Sequence, residues 1–101
     1  MRNTWYIYII RCNNDSLYTG VTKDVQRRFL EHSSQGIKCA RYLRGKSPLH
    51  LVFSEKTANK KAAYKIEALV KKLTKQQKEA LINGYSIKNF TLQKKRRTEK
   101  L

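Results

Sequence analysis

Acidic residues are scarce in this chain. Seven Asp and Glu stand against 23 Lys and Arg, a formal net charge of +16 over 101 residues. A compact domain with so few counter-charges repels itself, and the usual compensation is a polyanion whose condensed counterions are released on binding. Nucleic acid, DNA or RNA, is therefore the favoured partner class; an anionic membrane surface or a ribosomal location is the weaker alternative. Cysteine is nearly absent too. Cys12 and Cys39 form neither a C-x-x-C pair nor a zinc spacing, and two cysteines are too few for a secreted disulfide framework. Two reduced, partly buried thiols are expected.

Long apolar runs are missing. The longest, Trp5–Ile10, falls far short of a membrane span and lacks the small-residue cleavage site of a signal peptide. The expectation is a soluble, cytoplasmic protein with no membrane partner, and a monomer. With one proline and four glycines, no linker or internal repeat interrupts the sequence. A chain this short supports one core, burying roughly 60–65% of its unfolded surface. One domain over residues 1–90 and a basic, disordered tail over 91–101 are expected, the tail carrying Lys94, Lys95, Arg96 and Arg97.

What is present is patterned. Residues 5–11 are almost all β-branched or aromatic, the composition of a strand; Cys12–Ser16 favours a turn, and Leu17–Thr22 reads as a second strand. Asp24 caps a helix from Val25 to about Ser33. A basic loop over 34–47 holds at most one helical turn around Ala40–Arg44, and Leu49–Phe53 forms a third strand. Thr57 is expected to cap a long helix to Leu73, with Ala62, Ile66, Leu69, Val70 and Leu73 as its apolar stripe. Thr74 and Gln77 fit a capping box for a last helix that buries Leu81 and ends at Gly84. The order β-β-α-β-α-α predicts an α+β fold, a small three-stranded antiparallel sheet flanked by helices.

Several residues on these elements could carry chemistry. Alternation puts Tyr6, Tyr8 and Ile10 on one face of the first strand and Trp5, Ile7 and Ile9 on the other. A hairpin turn centred near Asn13 would set Tyr8 directly across from Tyr18, an ordinary structural pairing as well as a possible site. On the next helix Val25 and Phe29 mark the packing face. Arg28 and His32 lie along its edge, so Arg28, and not Arg27, leans toward the hairpin. Among the few acids, Glu67 lies at the border of the long helix's apolar stripe. Its ordinary role would be an ion pair with Lys71 at i+4; its functional role would be a metal ligand, since magnesium accepts one protein carboxylate plus waters and phosphate oxygens.

Together these residues resemble the GIY-YIG nucleases. Tyr6-Ile7-Tyr8 is similar to the first signature tripeptide and Tyr18-Thr19-Gly20 to the second, with Tyr6 in place of a glycine and Thr19 in place of an isoleucine. Arg28 follows at the position of the family's helix arginine, His32 one turn later, and Glu67 on the long later helix. The resemblance covers roughly residues 4–83 and is nearest to short, stand-alone bacterial members. It implies hydrolysis of DNA phosphodiesters with Mg2+ or Mn2+, with Tyr8, Tyr18, Arg28, His32 and Glu67 as catalytic residues and Glu67 as the metal ligand. Larger members use a further asparagine, for which Asn83 and Asn89 are both open. The alternative is a module of the same fold that holds nucleic acid without cutting it.

Overall fold

A computed structural model describes residues 4–86. The basic tail and Asn89 lie outside the described residues. Strands β1 (Tyr6–Arg11), β2 (Leu17–Thr22) and β3 (His50–Lys56) form one antiparallel sheet in the order β2-β1-β3. Helix α1 (Val25–Ser33) follows β2, a 3₁₀ turn spans Arg41–Leu43, and α2 (Lys60–Lys71) and α3 (Lys75–Ile82) are the last elements among the described residues. This is the β-β-α-β-α-α arrangement that the sequence predicts.

β1 sits in the centre because it is apolar on both faces. Tyr8 and Ile10 join Cys12, Cys39, Leu43 and Leu49 on the side of α1, with Val25 and Phe29 packed against them. Ile7 and Ile9 meet Val70 and Leu81 on the side of α2 and α3. Both cysteines are free and buried. Asp24 caps α1 through the Arg27 amide, and Thr74 and Gln77 form the full capping box of α3.

Three expectations need correction. In the hairpin, Tyr8 pairs with Gly20 and Tyr18 pairs with Ile10, so the two tyrosines are diagonal neighbours on one face. The tight turn at Asn13–Ser16, which includes Asp15 at φ 70°, sets this register. Asn59 caps α2 in place of Thr57; the Thr57 amide and hydroxyl both donate to the Trp5 carbonyl at 2.8 Å. The buried face of α2 is also rotated from the expected stripe. Ala63 and Val70 are fully buried, whereas Leu69 is exposed. Glu67, one turn beyond Ala63 and on its side of the helix, is consequently sheltered, its side chain only 17% exposed.

Few of the acids are left to offset the basic surface. Asp15, Glu31, Glu67 and Glu79 are each ion-paired, and Asp24 is spent on its helix cap. Arg11 grips Glu79 with two N–H groups at 2.7 and 2.8 Å and also reaches Asp15, tying β1 and its turn to α3. No helix among the described residues is long and apolar enough to cross a membrane.

Candidate active site

The site begins with the side chain of Tyr8. It leaves the buried centre of β1 and crosses its neighbour β2 at Gly20. A Cβ on Gly20 would stand 2.5 Å from the phenol oxygen and 2.6 Å from Cζ, so only a hydrogen there lets the ring pass. The phenol thereby meets His32, which α1 presents from above: Tyr8 Oη and His32 Nε2 are 3.0 Å apart. The Tyr18 ring completes a three-way contact, 6.4 Å from Tyr8 and 5.7 Å, edge-on, from His32 by ring centroids.

The imidazole's other nitrogen fixes the direction of this hydrogen bond. His32 Nδ1 accepts from the Ala40 amide at 3.2 Å, so it carries no proton. The neutral ring must then hold its proton on Nε2 and donate it to the Tyr8 oxygen. His32 is fully buried, and burial, reinforced by the positive charge of Arg28, lowers its pKa to about 4. At neutral pH it is an uncharged donor with both nitrogens occupied.

Arg28 approaches from the same helix, its side chain 31% exposed. Its Nη1 donates to Glu31 and to the Lys38 carbonyl, both at 2.8 Å. Its positive charge also acts on the Tyr8 phenol. Partial burial works against the guanidinium's charge, yet Glu31 and Tyr8 together hold its pKa above the ordinary value. Burial pushes the Tyr8 phenol well above its usual 10, with a further push from Tyr18; Arg28 pulls it back in part, and the negative charge of Glu67 adds a smaller upward push. The Glu67 carboxylate, 3.2 Å from Lys71, thus acts on the same phenol from α2. Tyr8, Tyr18 and His32 are in mutual contact; the charge of Arg28 acts on Tyr8 and His32, and that of Glu67 on Tyr8.

Among the described residues no group of three or more His, Cys, Asp and Glu could enclose a metal. Glu67 offers a single, largely sheltered carboxylate. That donor suits a magnesium or manganese ion that keeps most of its waters and shares phosphate oxygens; a zinc-like cage needs more.

Two residues of the site are not evident from the sequence. Tyr42, in the 3₁₀ turn, stacks on Tyr18 with centroids 5.8 Å apart, and Lys46 Nζ lies 3.3 Å from the Tyr42 ring centre. Gln35 organises the intervening loop by bonding the carbonyls of His32 and Leu43 and the amide of Gly45. Neither has a periodic or motif signal; each matters only because the loop folds back over α1. Asn83, by contrast, is the C-cap of α3.

The sequence and fold also match known proteins. The family model for the GIY-YIG catalytic domain matches residues 4–80. A UPF0213 protein of Vibrio cholerae is 51% identical over 81 residues, covering 79% of this chain and 78% of its own length. The UPF0213 protein YhbQ of Escherichia coli K12 is 47% identical over 78 residues, covering 77% and 76%. Among solved structures, a UPF0213 protein from Bacillus halodurans superposes with a TM-score of 0.51 at 40% identity, covering 79% of this chain and 83% of that one. A protein from E. faecalis gives a TM-score of 0.57 at 35% identity over 90% of each chain.

Proposed function

The chain belongs to the GIY-YIG catalytic-domain family and to its UPF0213 group of small bacterial proteins, and from that premise we propose that it is a metal-dependent DNA endonuclease. The observation that carries the reading is the Tyr8 phenol. One buried oxygen takes a hydrogen bond from His32 and lies in the fields of a helix guanidinium and a carboxylate from another helix. A packing tyrosine requires none of these charges.

In this reading water attacks the phosphorus, a new P–O bond forms, the bond to the leaving oxygen breaks, and the water's proton is lost to solvent while the leaving oxygen takes one up from solvent. Tyr8 orients the water. It does not deprotonate it in the resting protein, because a phenol above pKa 10 is ionised in fewer than about one molecule in a thousand at pH 7. His32 fixes the phenol by donating to its oxygen and leaves the hydroxyl proton free to point at the water. Tyr18 packs both rings into one geometry. Arg28 binds the phosphate and stabilises the negative charge that builds on it, using the N–H groups that Glu31 and Lys38 do not occupy. Glu67 would hold the metal, releasing Lys71; when bound, Mg2+ or Mn2+ supplies Lewis-acid stabilisation of the leaving oxygen.

The test is cleavage of single-stranded, duplex and branched DNA, and of RNA, with and without manganese. Arg28→Ala and Glu67→Ala should each lose about a hundredfold or more of the rate while DNA affinity is largely kept. Equal cutting by the Glu67 variant would assign the activity elsewhere. Tight, salt-sensitive binding without product under any metal would make the protein a binding module.

A further inference from the structure

A second group of aromatic and basic side chains lies at the start of β1, apart from the tyrosine and histidine cluster. The Trp5 indole meets the Tyr64 ring of α2 at 5.9 Å between centroids, tilted by 48°. Two ammonium groups flank the indole: Lys60 Nζ at 5.6 Å and Lys23 Nζ at 5.7 Å from its centroid. These come from separate elements, Lys23 from the β2–α1 connection and Lys60 from the first turn of α2. Thr57, itself buried, fixes the Trp5 carbonyl with both its amide and its hydroxyl, so the indole has a firmly held base. Trp5 nevertheless stays partly open and Tyr64 is 47% exposed.

Fixed ring faces with ammonium groups beside them match a base and its adjoining phosphates. Rings take the base by stacking, which unpaired bases alone offer, and lysines take the phosphates. With the anion absent, cation–π attraction keeps the lysines at the ring. The position is suitable as well. Tyr64 precedes Glu67 on α2 by three residues, about 4.5 Å along the axis, so the group stands one helical turn from the carboxylate of the site.

We propose that Trp5, Tyr64, Lys23 and Lys60 form a subsite for an unpaired stretch of DNA strand next to the cleavage site. The assignment of a cleavage site rests on the nuclease reading; the strand-binding claim can be tested without it. Trp5 is the only tryptophan in the chain, so its fluorescence reports this place alone. The full chain, in EDTA to prevent cutting, is titrated with oligodeoxythymidylate and with a duplex of equal length, while anisotropy of a labelled strand follows binding independently. The single strand should quench Trp5 saturably, and the duplex should do so far less. Lys23→Gln with Lys60→Gln, and separately Tyr64→Ala, should weaken single-strand affinity about fivefold or more, whereas Tyr64→Phe should keep it. Single-strand binding without quenching, equal quenching by duplex, or unchanged affinity in folded lysine variants would overturn the subsite. Quenching in EDTA with no cleavage in the manganese assay would leave the subsite standing and remove the nuclease; cleavage with manganese but no quenching in EDTA would do the reverse.

Discussion

The phenol of Tyr8 occupies the space that a side chain at Gly20 would need. The two residues are cross-strand partners, and the oxygen that meets His32 reaches it only by passing over the glycine. The second signature motif thus contributes its glycine as much as its tyrosine.

Gly20→Ala should therefore be disproportionately damaging. A Cβ at 2.5 Å from the phenol oxygen forces the ring aside in a filled core, costing about 1–3 kcal/mol. Chemical denaturation should show that loss, and the Tyr8–His32 bond should break with it, taking any cleavage activity along.

Acid sensitivity follows from His32. Its pKa falls from 6.5 to about 4 on folding, so the unfolded chain takes up the proton first as pH drops. The stability this group gives is fully present above about pH 6.5 and is lost progressively down to pH 4, on the order of 3 kcal/mol in all. Urea melts at pH 7 and pH 4.5 should separate by most of that amount, and His32→Gln should flatten the difference. Nitrogen NMR at pH 7 should find the proton on Nε2.

Thr19 is the converse case. It is buried on the α2 side, and its Oγ1 has no hydrogen-bond partner among the described residues. Thr19→Val keeps the shape and removes the unsatisfied oxygen, so it should raise stability by about 1 kcal/mol and leave DNA affinity unchanged. A lower denaturation midpoint would mean the hydroxyl has a partner in solution.

The grip of Arg11 on Glu79 pulls that carboxyl down to about 2. Its contribution is present above pH 4.5 and is lost as pH falls toward 2. Because both side chains keep about a quarter to a third of their exposure, Glu79→Gln should cost only about 1 kcal/mol, and less in high salt. Double-mutant cycles with Arg11→Met would check the coupling.

How far the sequence could be read follows from the range of each signal. Strand alternation, the Asp24 cap, the Thr74–Gln77 box and the packing of α1 through Val25 and Phe29 depend on neighbours within one or two turns, and each stands as predicted. The Lys71 partner of Glu67 was equally visible, being set by i+4 geometry. The hairpin register was not, because turn length is a choice among near-equal conformations that Asp15 and its neighbours resolve. The phase of α2 was missed because Ala62 and Ala63 are alike to a periodicity, and only packing against β1 selects Ala63.

From the order of residues alone, local chemistry determined the elements, the excess of positive charge and the motif that aligns Tyr8, Tyr18, Arg28, His32 and Glu67 with a known family. Tertiary structure decided which oxygen His32 holds, which tautomer it adopts, how deep Glu67 lies and that Tyr42 joins the cluster. Tyr8 and His32, like Tyr18 and Tyr42, stand 24 residues apart, and their meeting is fixed by burying two faces of one strand at once, a constraint no local pattern records.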